Sequence, residues 1–327
     1  MEAIKNSHLT YADTILLRNL TQNIAAKDHL DGAKRDTNSD GAAMEILMRI
    51  SDEDGDDFQA SPFSSWDEQD LNSWFRVIFV QPYVTWAEGV VRRRADVVFL
   101  THVGLYCATL IPSAIYLYHR FSWLHAACHW LLGIYYAGPF TLLLHNHVHN
   151  NGLLARKYAW FDHLFPYFLG PLLGHTPNSY YYHHVRHHHV EENGPDDLSS
   201  TIRYQRDEFF DFLAYLGRFL ALIWIELPLY FFNRCKYGLA FKSLVFEVSS
   251  MTVIFWMSRY SLRPTLFVFL IPLLQMRIFM MIGNWGQHAF VDELEPKSNF
   301  RSSITLIDSQ ASPPYNNPVV VLRLWAE

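Results

Sequence analysis

Eight histidines stand in two short runs: His145, His147 and His149 in LLHNHVHNN, and His183, His184, His187, His188 and His189 in YYHHVRHHHVEENG. Neutral imidazole suits Zn, Cu, Fe and Ni. On an α-helix residues four apart share a face, so His145 sits with His149 and His184 with His188, while His189 projects about 100° from His188. Each run can therefore offer two imidazoles to one point and a third to a second point nearby. The three cysteines, Cys107, Cys128 and Cys235, lie in or beside apolar segments without CxxC spacing. That removes the thiolate sets of structural zinc and any disulfide framework. Histidine at this density without softer ligands favours a redox-active or catalytic metal. The bland alternatives are a solubilising polar rim, a fortuitous histidine-rich tract or headgroup contacts.

The elements that must position these residues are membrane-like. The chain has 327 residues, 50% hydrophobic and only 18% charged, which is apolar for a soluble domain. Residues 97–118 and 121–144 carry no Asp, Glu, Lys or Arg, and each is long enough to cross ~30 Å of hydrocarbon. Only His119 and Arg120 separate them, so a tight hairpin is predicted, ending at His145. Arg92, Arg93 and Arg94 at its open end predict a cytoplasmic base. Residues 160–174 are apolar but short and hold Asp162, His163, Pro166 and Pro171, which reads as re-entrant or interfacial. Three further apolar segments follow, 212–232, 243–258 and 264–283. If residues near 188 and 288 share one side, an even number of these must cross. The last two are expected to do so, with the first lying on or partly in the interface. The predicted class is all-α integral membrane, with about four transmembrane helices and a cytosolic histidine-rich helical cap.

Charge divides the chain. Residues 1–90 hold 16 acidic against 7 basic residues, and the remainder 16 against 19. No face-wide cationic surplus exists to neutralise phosphates, so a nucleic-acid partner is excluded. Residues 1–70 read as an acidic, largely disordered region, too polar around 31–70 to offset the entropy of ordering. The start of the chain lacks a basic stretch followed by an apolar run, so no cleaved secretory signal is predicted. Trp74, Phe75, Phe79 and Trp86 suit a segment at headgroup level.

The hydrophobic hairpin ending in HNHVH, the HHVRHHH run, the following HHVEENGPDDLSST and a later NWGQH at 284–288 together resemble the membrane fatty acid desaturases, over roughly residues 75–305. The resemblance implies histidine boxes binding two irons at the cytosolic face of a mushroom-shaped four-span helical protein. Carried over residue by residue, His145 and His149 match the first box, and His184, His188 and His189 the second. His288 resembles an additional ligand, and Asn284 an asparagine placed near the metal. His147, His175, His183 and His187 are substitutes, since His183 and His187 permit a shifted register. Asp196 and Asp197 are candidate acceptors that orient imidazole N–H groups. The membrane domain is thus drawn at 71–305 and an atypical tail at 306–327.

The family pattern expects a third box, H-x2-HH or Q-x2-HH, after the last span, whereas residues 291–327 contain no histidine. A truncated or alternatively spliced product is expected, and with it a chain lacking the family's activity; spare histidines of the second run substituting is the alternative. The resemblance implies an O2-dependent acyl-lipid or acyl-CoA desaturase. The alternatives are a hydroxylase of the same superfamily and a catalytically silent membrane protein that binds metal or lipid. There is no haem-binding HPGG, CxxCxxC or GxGxxG segment, so electrons must come from an external donor, cytochrome b5 or ferredoxin. Arg92 to Arg94, Arg203 and Arg206 are candidates for its docking. The endoplasmic reticulum is the expected location and a plastid membrane the alternative.

Overall fold

A computed structural model describes residues 72–289 and a few isolated helical positions between 18 and 49. The readings made for 1–70 and for the tail 306–327 fall otherwise outside the described residues. Two compact units divide at Thr101/His102. No β-strand occurs among the described residues, and the class is all-α.

In the first unit Asn72 caps a helical stretch by accepting from Trp74 N–H at 3.3 Å. It continues through a π turn, Arg76–Val80, into Gln81–Glu88, with Pro82, which cannot donate to the preceding turn, directly after the wider winding. Trp74, Val77, Ile78, Phe79 and Trp86 are exposed, the outward apolar face that a headgroup-level segment requires.

Five helices are long and apolar enough to cross a membrane: α1, Val97–His119; α2, Trp123–His149; α3, Phe209–Asn233; α4, Tyr237–Tyr260; and α5, Leu262–Gln287. The chain is an integral membrane protein. From His102 onward α1 and α2 pair as an antiparallel hairpin, with the Thr109 and Tyr136 hydroxyls 3.1 Å apart and Ser113 Oγ 2.8 Å from His125 Nε2. The far end of α1 meets the start of α5, where the Tyr118 and Thr265 hydroxyls are 2.7 Å apart and Tyr118 stacks on Tyr260 of α4. Helix α5 then runs alongside α2, linked by Trp130 Nε1–H donating to Gln275 at 2.6 Å, and ends on the face where α2 ends. Helix α4 must run the opposite way.

Helix α3 does not follow this alternation. Near its start Tyr215 receives a hydrogen bond from Asn284 Nδ2 at 2.8 Å, and Asn284 closes α5. Near its end Tyr230 packs 4.2 Å from the His187 ring and donates to Glu191, and Arg234 pairs with Asp196 at 3.0 Å. Both ends therefore lie on the histidine face. Its buried residues, Tyr215, Phe219, Ile223, Leu227 and Phe231, recur every four positions and form one stripe. Four apolar helices thus alternate in direction while α3 lies along the face, the arrangement expected from the parity of residues 188 and 288.

Between α2 and α3 the chain first dips and then caps. Phe165, Pro166, Leu169 and Gly170 are buried among the spans, with Tyr106 of α1 donating to Leu169 O at 3.4 Å. Leu172 reaches the cluster of Leu117, Ala126 and Val268, so the segment is re-entrant. It turns at Gly174, whose φ of +93° and close approach to Pro272 leave no room for a side chain: a Cβ there would lie 2.0 Å from the Pro272 carbonyl oxygen.

Candidate metal centre

The end of α2 supplies the first two imidazoles. His145 and His149, one turn apart, have ring centroids separated by 4.6 Å. Four neighbouring residues, His145, His149, His184 and His189, offer ring nitrogens that all lie within 4.8 Å of one another.

The second run reaches them through a departure from α-helical winding. Tyr181–His188 is a π-helix, in which hydrogen bonds join residues five apart and each turn holds more residues. The rings of His184 and His188, expected to share a face, do stack with centroids 5.8 Å apart, but the nitrogen that joins His184 in the group of four is that of His189 rather than His188. Positions five apart also come together, with His184 Nε2 and His189 Nε2 separated by 3.0 Å and His183 stacked parallel to His188 at 6.4 Å. His188 is not one of the four; its ring lies 5.8 Å from those of His184 and His189 and 5.4 Å from that of His288 at the end of α5. The six candidate ligands thus form a group of four and an adjoining pair.

The loop after the π-helix holds His188. Glu192 and Asn193 both take left-handed φ values, 49° and 57°, which reverse the chain beneath the helix. Asn193 accepts from Thr201 N–H at 2.8 Å, and its backbone carbonyl accepts from Ser200 Oγ at 2.7 Å. This fixes Asp197, fully buried, with Oδ2 2.6 Å from His188 Nδ1, so His188 presents Nε2. Burial pushes the Asp197 carboxyl up, but the His187 and His188 imidazoles beside it outweigh burial and hold it well below the usual carboxylate range. Asp196 does not serve in this way: it is exposed and pairs with Arg234.

The substitute histidines lie elsewhere. His187 is fully buried and accepts from Leu198 N–H at 2.9 Å, which makes it a support of the loop. His147 faces Asp162 at 4.0 Å, and Asp162 in turn accepts from Leu153 and Leu154 N–H. His175 is buried beside Phe140 and Tyr180. Asn284 donates through Nδ2 to Ser199 O and Tyr215 Oη, each at 2.8 Å. Asn193, Ser199, Thr201 and Tyr215 frame the site without having been singled out from the sequence; the Asn-Gly-Pro-Asp-Asp composition was the available signal of a tight polar turn. Arg203 and Arg206 are engaged in the same frame, donating to the carbonyls of Pro195 and Ala289 respectively.

The donor set fits a cation. Burial, followed by the neighbouring imidazoles His145 and His189, drives His184 strongly toward the neutral form. Burial and the nearby His188 lower His189 to about 4. Neutral rings with lone pairs converging on one point are what an imidazole-binding metal needs.

Fold and site together define an integral membrane helical protein with a histidine cluster of ligand geometry at one face. The fatty acid desaturase family matches residues 121–316 of the chain. The chain belongs to that family. No curated protein and no solved structure matches it.

Proposed function

We propose that this desaturase-family chain is an oxygen-dependent fatty acyl desaturase of the endoplasmic reticulum membrane. It would act on an acyl lipid or acyl-CoA and take electrons from a separate carrier, cytochrome b5 or ferredoxin. The observation that carries this reading is the convergence of His145, His149, His184 and His189 beside the His188–His288 pair. In this reading the four hold one iron, and His188 and His288 contribute to a second. When bound, the irons supply the activation of O2 needed to take hydrogens from adjacent methylenes. The chain's own residues hold and orient: Asp197 fixes the ring of His188, Asn193 and Thr201 fix the loop that carries Asp197, and Tyr215 with Ser199 fixes Asn284.

Iron content and product analysis on the purified full chain, supplied with donor and acyl substrate, test this. About two irons per chain and an alkene product support desaturation; an alcohol transfers the assignment to hydroxylation. A second reading has its own support: among the described residues only His188 and His288 flank the second position, and residues 291–327 hold no histidine. One iron or none, with no turnover, supports that reading, a metal-binding chain without desaturase activity.

A further inference from the structure

Beneath the second histidine run a narrow, partly open cleft lies between the cap and α3, α4 and α5. Its walls include Phe219, Ile223 and Leu227 of α3 and Met276, Met280 and Met281 of α5. His183, stacked at 6.4 Å on His188, also lines it, so the cleft adjoins the ligand cluster. For a plain hydrocarbon chain these walls would suffice.

The cleft nevertheless carries charge. Glu247 of α4 and Arg277 of α5 both line it and form an ion pair. Arg277 stands ten positions before Gln287 and Glu247 ten positions after Tyr237, so each lies ~15 Å along its helix from the histidine face. Ionisable groups at such depth are costly and mark functional positions. A guanidinium has five N–H donors, and the bond to Glu247 Oε1 runs from Nη2 alone. The remaining donors have no protein acceptor among the described residues, and the side chains stay 16% and 12% accessible. In the same cleft His175 Nε2 and His183 Nε2 are buried without a hydrogen-bond partner among the described residues. A methylene chain leaves all of these groups unpaired, a penalty that an oxygen on the chain removes.

We propose that the cleft binds an acyl chain bearing a mid-chain hydroxyl, recognised by the Glu247–Arg277 pair. A hydroxyl suits both partners at once, donating to the carboxylate and accepting from the guanidinium. The inference rests on the acyl-substrate reading above and narrows the substrate class.

The test uses the full chain purified in detergent micelles. Displacement of a fluorescent fatty acid compares octadecanoic acid with a set of its monohydroxy derivatives, the hydroxyl moved along the mid-chain. At least one hydroxy acid is expected to bind about tenfold tighter or more than the unsubstituted acid, because a site built around a substrate hydroxyl rejects the analogue lacking it. In the double variant Glu247→Leu with Arg277→Met that preference is expected to vanish. Equal binding of all the acids by the wild-type chain overturns the inference even if the variant does not fold. A preference that survives in the variant overturns it as well, leaving the pair as a clamp between α4 and α5. Iron content and alkene formation, measured on the same wild-type preparation, separate the failures. Iron and alkene without hydroxyl preference sink only this inference, whereas no acyl binding at all sinks the acyl reading with it.

Discussion

Helix α2 carries two histidine pairs at the same spacing, one near each end, and only one belongs to a ligand cluster. His125 and His129 both turn to a single hydroxyl, Ser113 Oγ, at 2.8 and 2.9 Å. His145 and His149 meet His184 and His189 from a segment some 35 residues further on. Among the described residues no third imidazole, cysteine or carboxylate joins the first pair in such a group. An i, i+4 pair is thus a necessary half of a site; the other half is a distant element folded back onto it.

Five substitutions and one titration sharpen that contrast, beginning with the largest expected effect. His184→Ala should abolish bound iron, exceeding the ~100-fold loss of affinity that follows when an outer partner is removed. His129→Ala should leave iron content unchanged, and metal analysis of the two purified variants would break the comparison if they behaved alike. Gly174→Ala adds a Cβ 2.0 Å from the Pro272 oxygen at a φ of +93°. Strain and overpacking together should cost about 3 kcal/mol or more, visible as a lower melting temperature in detergent. Asp197→Asn weakens the fixing of His188 without touching the group of four. Metal affinity at the second position should fall ~10- to 100-fold, while the first iron is retained in a competition titration with a chelator.

The histidine face should also be the acid-labile one. His183 and His189 are held at about 3 and about 4, below the 6.5 of a free imidazole, chiefly by burial. As pH falls from 6.5 toward 3, the unfolded chain takes up protons that the folded chain refuses, so stability declines through that window and levels off below it. Thermal melts of metal-free protein across this range check the sign, and a flat profile defeats it. The smallest effect is expected from Ser113→Ala, about 1 kcal/mol from the lost hydrogen bonds, with iron unaltered.

The long uncharged runs, the hairpin and the dipping segment at 160–174 were legible in the sequence, because a bilayer imposes length and apolarity directly on residue choice. So was the pairing of His145 with His149, which needs only α-helical periodicity. The partition of the second run was not. Whether His188 or His189 brings its ring nitrogen into the group with His184 depends on how the helix is wound, and the composition of Tyr181–His188 does not announce a π-helix. The choice between Asp196 and Asp197 was equally hidden, since one position along a turn exchanges a buried acceptor at 2.6 Å from His188 for an exposed partner of Arg234. Glu247 and Arg277 were visible as charges within apolar segments, but their pairing across α4 and α5 required the tertiary fold.

The wide winding of Tyr181–His188 makes the residue count of that segment part of its chemistry. Deleting Val185 alone would place His184 and His189 four apart instead of five, out of step with a π turn, and no ligand would have been replaced. A family member one residue shorter here could keep every histidine and still present a different donor set. Spacing within this stretch therefore constrains its divergence as tightly as identity does.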